Sequence, residues 1–141
     1  MSMPQRRIGQ FTVSALGLGA MPVSMGPQGA VERDRAIATI HAALDAGITL
    51  VDTADIYGMG VSERIIGKWG RRDIHLATKC GIVNGPPRTV RNDEAYIRQC
   101  LEASLRRLGR EHVDLYYIYR RQPEVPVEDL AGTMGRLVEE G

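Results

Sequence analysis

Aromatic side chains are few, with one Phe, one Trp and five Tyr among 141 residues. Cysteine is scarcer still. Cys80 and Cys100 share no close spacing, so a disulfide-stapled scaffold is not the default, and two reduced thiols in a cytoplasmic chain are expected. No His/Cys cluster has the spacing of zinc ligands. The net charge of +1 leaves no electrostatic case for nucleic acid or a membrane surface as the main partner. The arginine pairs at 6–7, 71–72, 106–107 and 120–121 are scattered, as solvated surface would have them. No apolar run approaches the ~20 residues needed to span a bilayer. Arg6 and Arg7 precede no long apolar core, so no signal peptide is expected. Neither is there a G-x-G-x-x-G after a strand, which removes the usual dinucleotide fingerprint. The remaining composition, 43% hydrophobic and 25% charged, is globular, and the length suits a single domain over 1–141.

The segments that are present alternate between two periods. Arg6 to Val13 reads as a small hairpin turning at Gly9-Gln10, and Ser14 to Met21 as the first buried strand. Gly17 and Gly19 in that strand fit either tight packing at a barrel corner or close approach by a ligand. Pro22 to Val31 reads as loop. Asp34 to Ala46 has Ile37, Ile40, His41 and Leu44 at helical spacing and Gly47 as its stop, with His41 read as a packed or boundary histidine. Ile48 to Val51 is apolar strand. Ser62 is the expected N-cap of a helix ending at Trp69. Asp73 to Lys79 is the third strand, and Gly81 to Asn92, with Gly85-Pro86-Pro87, a long loop of the kind that covers a site. Asn92 to Leu108 carries an apolar stripe of Ile97, Leu101, Leu105 and Leu108, stopped by Gly109. Val113 to Tyr119 is the fourth strand. Val127 to Glu140 is a last helix with Val127, Leu130, Met134, Leu137 and Val138 inward.

Strand–helix units of ~30 residues, repeated four times, can pair only in parallel through helical crossovers. The expected class is α/β: a short β-hairpin followed by about four βα units, the N-terminal half of a (β/α)8 barrel, whose complete form needs eight units and roughly 250 residues.

Chemistry in such folds collects at the carboxyl ends of the strands. Three strands end on polar residues: one at Asp52, one at Lys79, one at Tyr119. Alternation puts Ile48, Leu50 and Asp52 on one face, His75, Ala77 and Lys79 on another, and Leu115, Tyr117 and Tyr119 on a third. If these are inner faces, Asp52, Lys79 and Tyr119 share a rim. Tyr57 follows in the loop after Asp52 and can reach over the mouth. A carboxylate beside an ammonium keeps both charged. The ammonium should lower the pKa of a neighbouring phenol from ~10, making it a general acid toward a carbonyl. Singly, each residue has a plainer role: Asp52 or Asp55 capping the next turn, Tyr57 shielding a loop, Lys79 facing solvent. An aldolase using Lys79 for Schiff-base chemistry would want that amine free of a carboxylate partner, and Asp52 argues against it.

Asp52-Thr-Ala-Asp-Ile-Tyr57-Gly58, Leu76-Ala-Thr-Lys79-Cys-Gly81 and Asp114-Leu-Tyr-Tyr-Ile-Tyr-Arg120, with Leu16-Gly-Leu-Gly-Ala-Met21 and Ala42-Ala-Leu-Asp-Ala-Gly47, together resemble the aldo-keto reductases. The resemblance runs from about Arg6 to the end. It implies a (β/α)8 barrel that uses NADPH to reduce an aldehyde or ketone to an alcohol. On the matching positions, Tyr57 is the implied proton donor, Lys79 lowers its pKa and Asp52 pairs with Lys79 near the nicotinamide. Gly19, Ala20 and Met21 line the floor beside it. Tyr119 stands where the family usually has a histidine that orients the carbonyl; a phenol can also donate a hydrogen bond but is bulkier. The sequence stops before a fifth strand, so the family's pyrophosphate and 2′-phosphate segments are expected to be missing and activity in this chain alone compromised. An open half-barrel exposes strand edges, so self-association or pairing with a complementary half is expected. The alternative reading is a non-catalytic structural or regulatory half-barrel acting through a partner.

Overall fold

The computed structural model describes residues 3–24 and 33–141. A hairpin comes first, β1 (Gln5–Ile8) against β2 (Phe11–Ser14). Four parallel strands then make the central sheet: β3 (Leu18–Gly19), β4 (Leu50–Asp52), β5 (His75–Cys80) and, after a second hairpin of β6 (Ile82–Val83) and β7 (Thr89–Val90), β8 (Leu115–Ile118). Strand order follows chain order, β3-β4-β5-β8. Between the strands run α1 (Met21–Ser24), α2 (Arg33–Asp45), α3 (Val61–Trp69) and α4 (Glu94–Leu108), and α5 (Val127–Glu140) closes the chain. Parallel neighbours joined in sequence by helical crossovers are one half of a (β/α)8 barrel.

Alternation along the strands decides which face is covered. Val51, Leu76, Thr78 and Cys80 point outward under the helices and are buried. Ile40 and Leu44 of α2, Ile66 of α3 and Leu108 of α4 join Val51 and Leu76 in one core. Ile97, Cys80 and Leu130 nucleate a second, which Tyr116, Ile118, Met134 and Leu137 complete. Each such large apolar side chain contributes roughly 1.5–3 kcal/mol when fully buried. The inner face is more open: Leu50, Asp52, Lys79 and Leu115 are half-buried, and Tyr117 is 45% exposed. Helix α3 comes close to α4 at Gly67, where an added Cβ would lie 2.4 Å from the Arg107 carbonyl oxygen, so only glycine fits.

The first hairpin is tied to the amino ends of the strands. Ser14 N–H donates to Thr49 Oγ1 (2.8 Å) and Thr49 N–H to Ser14 Oγ (2.9 Å). Phe11 packs on the His75 ring at 5.0 Å. Asp114 bonds His75 Nδ1 (3.0 Å) and accepts the Leu76 N–H (2.8 Å).

Several boundaries differ from expectation. The first parallel strand is only Leu18–Gly19, because Ser14 is still committed to β2. The segment read as loop after Pro22 begins within α1, and 25–32 lies outside the described residues. The 81–92 segment contains β6 paired with β7. Helix α4 starts at Glu94 because Asp93 caps it, accepting the Tyr96 N–H at 3.1 Å. Asn92 is buried instead, its side chain bridging Arg91 and the Gln122 backbone. Val127 and Val138 are exposed, Val138 at 81%, since among the described residues no element packs against that side of α5. His41 is exposed too, its ring edge-on to Trp69 at 6.5 Å. Among the described residues no helix is long and apolar enough to cross a membrane.

Candidate active site

The carboxyl ends of β4, β5 and β8 meet at one rim, as their parallel register requires: Asp52 lies opposite Ala77, and Lys79 opposite Tyr117. Lys79 Nζ donates to Asp52 Oδ2 (2.7 Å) and to the Thr53 carbonyl (2.7 Å). Among the described residues these two acceptors take two of the ammonium's three N–H donors. Nζ also stands 5.2 Å from the Tyr57 ring centroid and 5.7 Å from that of Tyr119. The two rings meet edge to face, centroids 6.1 Å apart and planes at 90°, a favoured geometry for an aromatic pair. Asp52, Lys79, Tyr117, Ile118 and Tyr119 line an open pocket of about 370 Å³. The four residues expected to do the chemistry are therefore together.

The loop that delivers Tyr57 is a tight reversal. Gly58, Met59 and Gly60 all take left-handed φ, at 57°, 55° and 81°. Met59 is the non-glycine among them, so part of this conformation is held against intrinsic preference. Asp55 N–H donates to the Lys79 carbonyl (3.1 Å), which pins the loop to the end of β5. The N-cap of α3 is Gly60, not Ser62 and not Asp55. Ser62 is buried and has another task. Its Oγ donates to the Ala20 carbonyl (3.0 Å) and pairs with Thr53 Oγ1 (2.8 Å), while its N–H reaches the Tyr57 carbonyl (3.3 Å). One serine thus ties β3, the end of β4 and the Tyr57 backbone together. Glu63, 0% exposed, accepts from Thr78 Oγ1 (2.7 Å) and from Arg107 Nε. Arg107 is thereby a structural arginine, not the solvated one its pair suggested. The signal for both was the buried side of α3, where Ser62 and Glu63 fall one turn from Ile66.

Electrostatics corrects one expectation. The Tyr57 phenol is pushed above its ordinary value, by burial first, then by the Tyr119 side chain and the Asp52 charge. Lys79 does not oppose this, because its charge is balanced by Asp52 at contact distance and a net-neutral pair gives a phenolate little support. Tyr57 therefore remains a protonated phenol at neutral pH.

The floor beside Asp52 is mixed. Gly19 has nothing within 4 Å of where a Cβ would stand, and Met21 is exposed. Ala20 is fully buried in the α2–α3 core, its N–H donating to the Asp52 carbonyl (2.8 Å) and its carbonyl accepting from Ser62. Among the described residues the space over Gly19 is open and lies next to the half-exposed Asp52 carboxylate. Among the described residues no group of three or more His, Cys, Asp or Glu could hold a metal ion.

A strand rim carrying an acid, a lysine and two phenols on half of a (β/α)8 barrel defines a class, and comparison with known proteins names it. Residues 15–141 match the Aldo/keto reductase family, and the chain belongs to that family. It is 41% identical to an NADP(+) aldo-keto reductase, yakc, of Schizosaccharomyces pombe, covering 100% of this chain and 44% of that protein. Among solved structures it resembles the holo form of an aldo-keto reductase, AKR11C1, of Bacillus halodurans (TM-score 0.86, 33% identity, 99% of this chain and 47% of that one). It also resembles an aldo-keto reductase of Klebsiella pneumoniae in complex with NADPH (TM-score 0.79, 29% identity, 100% and 47%). The chain spans about half the length of the relatives it matches.

Proposed function

We propose that this chain carries the proton-donating half of an NADPH-dependent carbonyl reductase, acting on an aldehyde or ketone, with Tyr57 as general acid. The observation that carries the reading is the contact of Lys79 with Asp52, beside the edge-to-face pair of Tyr57 and Tyr119. In this reading Gly19, Met21 and Asp52 hold the nicotinamide end, with buried Ala20 fixing the floor behind them. When bound, NADPH supplies the hydride that reduces the carbonyl carbon. The chain's own residues handle the proton. As the carbonyl oxygen gains negative charge, the Tyr57 hydroxyl gives up its proton to it. The phenolate left behind gets little support from Lys79, whose charge Asp52 balances. Asp52 and the Thr53 carbonyl hold the ammonium in place. Tyr119, in the family's histidine position, donates a hydrogen bond that orients the carbonyl. A phenol whose pKa is raised is a weaker acid, so Tyr57 keeps its proton until the carbonyl oxygen has gained negative charge.

The test is loss of NADPH absorbance with an aromatic aldehyde, in the wild type, Tyr57→Phe and Lys79→Met. Turnover lost at least 100-fold in Tyr57→Phe, with NADPH fluorescence on binding retained, supports the reading. Equal turnover in wild type and Tyr57→Phe overturns it. The alternative, a half-barrel acting through self-association or a complementary half, is favoured by the open inner face with Tyr117 exposed. Binding of neither NADPH nor aldehyde, with a dimer or larger species on size-exclusion chromatography, supports that alternative instead.

A further inference from the structure

Away from the rim, a second group of reactive side chains is packed between β5, β8 and α4. Cys80 ends β5 with its side chain on the helix-covered face and is 0% exposed. Cys100 sits on α4, one turn after Ile97, and packs into the cluster that contains Cys80. Both are free thiols, but their surroundings differ. Cys100 is half-buried and lines an opening of about 290 Å³ together with Asp55, Asn84, Tyr96, Gln99 and Arg107. A small molecule reaches Cys100 through that opening and does not reach Cys80. Asp55 adds a second observation. Its Oδ1 is buried and, among the described residues, has no hydrogen-bond partner, and the residue lines the same opening.

We propose that Cys100 and Cys80 form a peroxide-responsive dithiol, with Cys100 the attacking sulfur, Cys80 the resolving one, and the Asp55 carboxyl oxygen the acceptor that orients the incoming hydroperoxide. This site is separate from the carbonyl chemistry above and stands whether or not Tyr57 acts on a substrate. The interaction between the two thiols is polarised in the required sense. Hydrogen bonding from Cys80, helped by the Tyr96 hydroxyl, holds the Cys100 thiol below the ordinary cysteine value, although burial and the Asp55 charge push the other way. The bond to Cys100 and burial push Cys80 up. The thiolate fraction therefore falls on the sulfur that is accessible.

The steps balance. The Cys100 thiolate attacks the outer oxygen of a hydroperoxide, the O–O bond breaks, and the alkoxide or hydroxide leaves and takes up a proton. Cys100 is then a sulfenic acid. The Cys80 thiol loses its proton as its sulfur attacks the Cys100 sulfur, the S–O bond breaks and water leaves. Two thiols have lost two electrons, and the hydroperoxide has been reduced to an alcohol, or to water when the oxidant is hydrogen peroxide.

The experiment treats the native chain with one equivalent of hydrogen peroxide, blocks remaining thiols with N-ethylmaleimide, and weighs the intact protein and its tryptic peptides. The expected product is a monomer lighter by two hydrogens, carrying no maleimide, with the peptides of Cys80 and Cys100 joined. Cys80→Ser should leave a Cys100 sulfenic acid that dimedone captures. Cys100→Ser should leave Cys80 as an unoxidised thiol. A disulfide between two chains, addition of oxygen at methionine alone, no reaction, or oxidation of Cys80 in Cys100→Ser each overturns the proposal. The wild-type peptide map needs no variant to fold, so it decides the question by itself.

Discussion

Replacing Asp55 with asparagine isolates one buried charge and gives a signed pH dependence. Asp55 is half-buried beside Glu63, and its carboxyl is raised from 3.8 to about 6, by burial first and by the Glu63 charge second, against a smaller opposing pull from Arg107. A folded-state pKa above the unfolded one means that the fold prefers the protonated acid. Stability from this group is therefore complete below pH 3.8 and is lost as pH rises through about 6. Full ionisation at that shift corresponds to roughly 3 kcal/mol. Water reaching the more open oxygen reduces it, and about 1–3 kcal/mol is the expected range. The amide introduced by Asp55→Asn cannot ionise, so relative to wild type the variant should gain about half of that amount, roughly 1 kcal/mol, between pH 5 and pH 7.5, the rest having been lost between pH 3.8 and 5. Urea unfolding followed by circular dichroism at the two pH values measures it, and subtracting the wild type cancels every other titrating group. A wild-type-minus-variant difference that does not change with pH, or a variant that loses stability at pH 7.5, refutes the reasoning.

Other perturbations follow from the same geometry. Arg107→Leu leaves the fully buried Glu63 carboxylate without its cation and should destabilise by about 3–5 kcal/mol, recovered in good part by adding Glu63→Gln; chemical denaturation of both variants checks it. Ser62→Ala strips the Ala20 carbonyl and the Thr53 hydroxyl of their buried partner and should lower stability by about 1–3 kcal/mol, with faster hydrogen exchange at the Tyr57 loop than at β5.

How much of this was legible follows from how local each signal is. Strand ends at Asp52 and Lys79, and the stripe Ile97, Leu108 of α4, are periodic features. Alternation and 3.6-residue spacing carried them directly, and the rim of Asp52, Lys79 and Tyr119 came from alternation alone. The placing of Tyr57 over it depended on a loop that the Asp-to-Tyr spacing allows but does not impose; Gly58 to Gly60 in left-handed conformation impose it. Ser62 read as a cap because serine before an apolar run usually is one. It lost that role since Gly60 takes the cap position in a left-handed turn, leaving Ser62 a residue inside the helix and facing the core. The sign of the Tyr57 shift was not legible, because it depends on burial, on the Tyr119 side chain beside it and on Asp52 cancelling Lys79 at 2.7 Å. Cys80 and Cys100, twenty positions apart, show no relation until α4 is laid over β5.

The measurement closest to the heart of the mechanism is the ionisation of Tyr57 itself. A chain labelled at the tyrosine ζ-carbon, with Tyr57→Phe to assign the signal, reports phenolate formation by NMR as pH is raised. The Tyr57 signal should remain that of a phenol past pH ~10, where an ordinary tyrosine is half ionised, and Lys79→Met should move its midpoint little. A Tyr57 phenolate forming well below that value, and lost in Lys79→Met, would contradict the charge-balanced Lys79–Asp52 pair and show Lys79 acidifying the phenol.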